Sequence, residues 1–269
     1  MPPPLRLDYP SYFLIRFIGE KILETYTVEA IVLDTKNFGD ANKVVTLFSK
    51  ERGKLEANAY GCRRSRSPLS GAMQMFNHIS AEISRGAQVD TIREADILHF
   101  YDALTGDLER LSYASLFFEI VNRMTLPQEK SSATFYLLKK SLPVLSKRNP
   151  KVAALIGACQ FMETSGVQLN FERCVHCGAL IEGDAAISLL DGGAVCMNCV
   201  DFAEDCRPYP EGLRKTFETL LSFNWRGETR INFKTRQLDA AENFLMEYVQ
   251  MILGGELKSA QFIKEFLGM

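Results

Sequence analysis

TVEAIVLDTKNFGDANKVVTLFSKERGKLEANAYG, residues 27 to 61, alternates apolar runs with short polar breaks. Val28, Ile31, Val32 and Leu33 form the first run, KVVTLFS (43–49) the second and LEANAYG (55–61) the third. The charged KERGK joins the last two and contains Gly53, so they read as a hairpin. MQMFNHISAEIS (73–84) and QVDTIREADILHF (88–100) supply two more strand candidates on either side of Arg85-Gly86. That is about five strands without a long helix among them, and closing them into a small β-barrel removes the exposed strand edges.

The period changes after residue 105. In GDLERLSYASLFFEIVNRMTL the apolar positions recur at helical spacing, and Asp107 is a predicted N-cap. SSATFYLLKKSLPVLSK is a second helix that Pro143 is expected to kink or end. A third is framed by Asn149 as cap, Pro150 in the first turn and Gly166 beyond the end. YPEGLRKTFETLLSF, TRQLDAAENFLMEYVQMIL and ELKSAQFIKEFL close the chain as helices. The expected organisation is an N-terminal extension at 1–24, a barrel domain at 25–104 and a helical domain at 105–269 with a cysteine-bearing insertion at 172–202, an α+β fold overall.

In the N-terminal extension, the run YFLIRFIG is broken by Arg16 and lacks a small-residue cleavage site. It is too short for a bilayer span and reads as a poorly ordered leader or amphipathic extension. The chain's 269 residues, 46% of them hydrophobic, suffice for two domains. Seven cysteines are too few, and odd in number, for a disulfide scaffold, which points to a reducing, cytoplasmic compartment.

Four cysteines lie in two C-x-x-C pairs, Cys174/Cys177 and Cys196/Cys199, with eighteen residues between the pairs. Two thiolates across one tight turn and two across another close a tetrahedral shell, so the spacing predicts one Zn²⁺ per chain. A shell of four thiolates leaves no position for water or substrate, which makes the ion structural. His176, inside the first pair, reads as a solvated neighbour. Cys206 reads as a half-buried thiol, Cys159 as core, and Cys62 as an inert strand-end residue.

The formal net charge of -2 argues against a generally basic nucleic-acid binder, but the charge is unevenly placed. Residues 43–66 carry Lys43, Lys50, Arg52, Lys54, Arg63, Arg64 and Arg66 against Glu51 and Glu56, a net +5, which leaves -7 for the rest. CRRSRSPLSG mixes Arg with Ser and Gly, groups that contact phosphate without reading base sequence. The basic residues are expected to flank one barrel face, with Tyr60 and Phe76 available for base stacking. The sequence contains no G-x-x-x-x-G-K-[ST] loop, and no Ser/His/Asp arrangement stands out; His78 and His99 read as ordinary strand residues.

EAIVLDTKNFGDANKVVTLFSKERGKLEANAYGCRRSRSPLSGAMQMF, the later CVHCG and CMNC, and the tail ELKSAQFI together resemble the bacterial RecO family of recombination mediators, over about residues 27 to 265. The resemblance implies an OB-fold barrel that binds single- and double-stranded DNA, followed by an all-helical domain with an inserted four-cysteine zinc finger. It implies strand annealing without covalent catalysis, in the cytoplasm at the nucleoid. The implied partners are RecR, RecF, RecA and, through the helical domain, the C-terminal tail of single-strand binding protein. It places DNA contacts at Arg63, Arg64 and Arg66, with Lys43, Arg52 and Lys54 beside them. Some family members lack the cysteines, in keeping with a structural role. The competing readings are an adaptor of OB-fold and zinc ribbon that binds RNA or protein, and a zinc- or thiol-dependent enzyme.

Overall fold

The computed structural model describes residues 24–226 and 232–267. The leader expected at 1–24 therefore lies outside the described residues, apart from Glu24. Five strands, β1 (Thr25–Phe38), β2 (Asn42–Ser49), β3 (Gly53–Ala59), β4 (His78–Ser84) and β5 (Asp90–His99), close a barrel in the order β1-β2-β3-β5-β4. The long β1 serves two neighbours: Thr25–Ile31 pair with β4, and Ala30–Phe38 pair with β2. A register shift between Val32 and Asp34 marks a bulge, which bends the strand between its two partners. A short parallel seam, Ala57 opposite Asp90 and Asn58 opposite Thr91, closes the ring.

The strand expected from residue 73 begins only at His78. The preceding loop plugs the barrel: Cys62, Leu69, Ala72 and Met73 join Val28, Val45 and Ile79 in its core. Asn77 fixes the end of the plug by donating its side-chain amide to the carbonyls of Gly71 (2.8 Å) and Ala72 (3.3 Å).

A short helix, α1 (Asp102–Thr105), leads into α2 (Leu108–Met124), α3 (Ser132–Lys147) and α4 (Pro150–Thr164). Asp107 caps α2 by accepting from the Arg110 amide, and Asn149 caps α4 by accepting from the Val152 amide, as expected. Pro143 does not end α3; the helix runs through it to Lys147. Pro143 is exposed while its neighbours Leu142 and Leu145 are buried, so the packed side holds the helix through it. Next come three short strands, β6 (Ala185–Ser188), β7 (Gly193–Cys196) and β8 (Cys206–Pro208), in the order β7-β6-β8. The helices α5 (Glu211–Leu221), α6 (Thr235–Leu253) and α7 (Lys258–Leu267) follow. Ile187, Val195 and Tyr209 are buried in the same core as α2 and α4, so the cysteine-bearing segment is packed into the helical body.

The outer barrel face is also part of that core. Ile31, Leu33, Phe48 and Phe76 are buried with the helices, and Phe76 meets Phe118 edge-on with ring centroids 4.9 Å apart. Gly53 turns at φ +70, and a Cβ there would fall 1.9 Å from the Glu129 carbonyl oxygen, so the β2–β3 turn lies directly against the α2–α3 connection. The Glu29 carboxylate ties the seam further, accepting from His78 Nε2 at 2.8 Å and from Lys139 Nζ of α3 at 2.7 Å.

Candidate nucleic-acid interface and metal centre

The six basic residues singled out in the sequence do not share one face. The paired part of β2 and β3 runs from Ser49 opposite Gly53 to Lys43 opposite Ala59. At about 3.4 Å per residue, the two ends of that ladder stand roughly 20 Å apart. Arg52 lies at the Gly53 end, with its guanidinium 4.1 Å from the Tyr26 ring centroid. Lys54 points across the seam and donates to the Asn122 carbonyl at 2.6 Å. Burial lowers its pKa, and the lysine acts as a tie between the two halves, not as a surface cation. Lys43 donates to the Met73 carbonyl at 2.8 Å and pins the plug loop.

Arg63, Arg64 and Arg66 are all exposed on the loop that follows β3. Their loop is stitched to the β1–β2 turn. The Arg63 amide donates to the Ala41 carbonyl at 3.0 Å, and its guanidinium donates to the carbonyls of Gly39 (3.3 Å) and Asp40 (3.2 Å). Gly61 N–H donates to Asn42 Oδ1 at 2.8 Å, which fixes the start of the loop.

Of the two aromatics expected beside this loop, only one faces water. Phe76 is 1% exposed, at φ +72, and belongs to the seam with α2, so it cannot meet a base. Tyr60 is 54% exposed and pairs edge-on with Phe38, itself 45% exposed, at a centroid distance of 6.5 Å. Sequence reasoning missed Phe38. The available signal was its place just before the Gly39-Asp40 turn, which the hairpin register sets beside Tyr60-Gly61. The barrel tip thus carries exposed arginines on the loop that begins beside an exposed pair of aromatic rings.

The four expected ligand cysteines converge. Their sulfur atoms all lie within 4.8 Å of one another, and Cys177 Sγ stands 3.7 Å from Cys196 Sγ. A thiolate tetrahedron around an ion with ~2.3 Å bonds has edges of about 3.8 Å, so the arrangement fits a metal ion. Each pair sits on a turn: Gly178 N–H donates to the Cys174 carbonyl at 2.8 Å, and Cys199 N–H to the Cys196 carbonyl at 2.9 Å. Gly178, at φ +75, takes the left-handed conformation that ends the first turn.

Cys174 and Cys199 are shifted in opposite directions. Burial works to raise the Cys174 thiol, but amides of Cys196, Cys177 and His176 outweigh it and bring the pKa down to about 6. Cys199 is pushed up to about 12, first by its hydrogen bond with Cys196. Without a cation the four sulfurs cannot all carry charge. His176 stays outside the sulfur cluster and reaches Asp191 Oδ2 at 3.1 Å, linking the first turn to the β6–β7 hairpin. Cys206 lies on β8 outside the cluster, and Cys159 is buried in α4.

Closure of five strands with a β3–β4 plug makes residues 25–99 an OB-like barrel. The rest of the chain defines the class more narrowly, as such barrels fused to a helical body with a cluster of four cysteines that could hold a metal ion. The family model described as Recombination protein O N terminal matches residues 23–101, and Recombination protein O C terminal matches 105–261. The chain belongs to the recombination protein O family. It is 31% identical over 257 residues to the DNA repair protein RecO of Pelotomaculum thermopropionicum, covering 91% of this chain and 95% of that one. It is 28% identical over 243 residues to the protein of the same name from Symbiobacterium thermophilum, covering 88% and 96%. No helix among the described residues is long and apolar enough to cross a membrane.

Proposed function

We propose that this chain acts in DNA repair and homologous recombination as a mediator that works by binding and not by covalent catalysis. It binds single- and double-stranded DNA at the barrel tip and anneals complementary strands. It also helps RecA onto DNA coated by single-strand binding protein, acting with RecR and RecF in the cytoplasm at the nucleoid and engaging the tail of the coating protein through its helical body. Family membership supports this reading. The observation that carries it is the placement of Arg63, Arg64 and Arg66 on one exposed loop beside Phe38 and Tyr60.

The mechanism is electrostatic. Guanidinium groups held on a rigid loop neutralise phosphates and lower the repulsion between two strands. Stacking on Tyr60 and Phe38 orders bases without selecting a sequence. Zinc is the ion that four thiolates at this spacing suit, and it would hold the two turns of the knuckle together.

The test is annealing of complementary strands coated with single-strand binding protein, with and without this chain. Acceleration of at least about tenfold is expected, equivalent to roughly 1.4 kcal/mol of barrier. No acceleration at any concentration of the chain would contradict the proposal.

A further inference from the structure

Residues 130–151 carry six cations, Lys130, Lys139, Lys140, Lys147, Arg148 and Lys151, and no acid. Two of them serve the fold: Lys151 is held by Asp239 and Glu242, and Lys139 by Glu29. Lys140 and Lys147 are exposed and have no acidic partner among the described residues. Seven residues apart on α3, they share one helix face. Tyr136, one turn before Lys140, is 42% exposed on the same side.

Opposite this face stand Trp225 and Arg226, just beyond α5. Trp225 is fixed: its Nε1 donates to Gln160 Oε1 at 2.6 Å, and Gln160 Nε2 donates to the carbonyls of Leu221 (3.0 Å) and Phe223 (2.8 Å). Between Tyr136, Lys140, Trp225 and Arg226 lies a groove of about 600 Å³, with Leu137 in its wall and Glu163 as the one acid lining it among the described residues.

A single carboxylate needs one cation, whereas a row suits a polyanion. Lys140 and Lys147 lie about 10 Å apart along the helix axis, far enough to meet different phosphates of one strand. A fixed indole and an exposed tyrosine add stacking surfaces that only unpaired bases can use.

The geometry points to a second single-stranded DNA site in the groove along α3, beside the first at the barrel tip. It rests on the reading that the barrel tip binds DNA. Two sites on one packed body would hold complementary strands together, as annealing requires.

Titration of the full chain with a fluorescein-labelled dT oligomer of ~12 nucleotides, within the site size of one barrel, tests this by anisotropy and native mass spectrometry. Two oligomers per wild-type chain are expected. One is expected for Lys140→Ala/Lys147→Ala and one for Arg63→Ala/Arg64→Ala, with the thermal melts of both variants unchanged. Tyr136→Ala is expected to weaken the second oligomer about tenfold. If the lysine variant drops to one while the arginine variant keeps two, the barrel-tip reading fails and the α3 site stands. A lysine variant that still takes two, or a wild-type chain that takes only one, overturns the α3 site. Lysine-dependent binding of a fluorescein-labelled poly-aspartate peptide, with the oligomer count unchanged, also overturns it and makes the groove a peptide site.

Discussion

Glu29 is the residue at which barrel and helices meet. Burial works to raise its pKa, but hydrogen bonds from Lys139 and then His78 outweigh it, bringing the pKa from 4.5 to about 2. His78 is itself pushed below 6.5, first by burial. Both shifts have the same consequence in acid. As pH falls below about 6.5 the unfolded chain protonates its His78 before the folded chain does, and from 4.5 down towards 2 the same holds for Glu29. Stability is therefore full above about pH 6.5 and is lost on acidification. Glu29→Gln should lower stability at pH 7 by about 1–2 kcal/mol, a value reduced because the site is partly open to solvent. It should also flatten the acid limb, as read from urea melts at pH 7, 5 and 3. A variant as stable as the parent at pH 7 would show that the seam does not depend on this carboxylate. The caps Asp107 and Asn149 were legible in sequence because a cap acts within three residues. The inward turn of Phe76 and Lys54 was not, because their partners Phe118 and Asn122 arrive from another element, and for Lys54 the separation is 68 residues.

At the scale of elements, the knuckle was the most legible feature, since the spacing of four thiols carries its own geometry. What the spacing hid is that Cys174, Ile187 and Val195 are part of the helical core. Loss of the ion should therefore loosen the whole body. Cys174→Ser is expected to cost at least about 3 kcal/mol, roughly 6–12 °C in melting temperature for a chain of this size, while DNA affinity changes less than threefold. Elemental analysis should find one zinc per chain in the parent. An unchanged melting temperature would contradict the structural role. The β2–β3 turn makes a second element-scale case. Its hairpin was readable from alternation and from Gly53, but the demand on Gly53 comes from Glu129 across the seam. Gly53→Ala should destabilise the chain by at least about 1–3 kcal/mol, through both the left-handed conformation and the clash. A thermal melt matching the parent would show that the seam can open there at little cost.

At the scale of the whole molecule, the charge division in the sequence picked out a stretch of chain but could not give its geometry. Summing charge over residues 43–66 found the barrel tip, yet a sum cannot tell which end of a hairpin each residue occupies. Register does. Arg52 and Lys54 belong to the seam end and Lys43 to the plug, which leaves Arg63, Arg64 and Arg66 as the exposed cluster, next to a Phe38 that charge counting could not reveal. The central claim is that this cluster neutralises phosphates, and it is tested most directly by the salt dependence of affinity for a single-stranded oligomer. Each phosphate neutralised contributes about 0.7 to the slope of log affinity against log salt, so Arg63→Ala/Arg64→Ala should reduce the magnitude of the slope by about 1.4. An unchanged slope, with the variant folded, would place the phosphates elsewhere and contradict the claim.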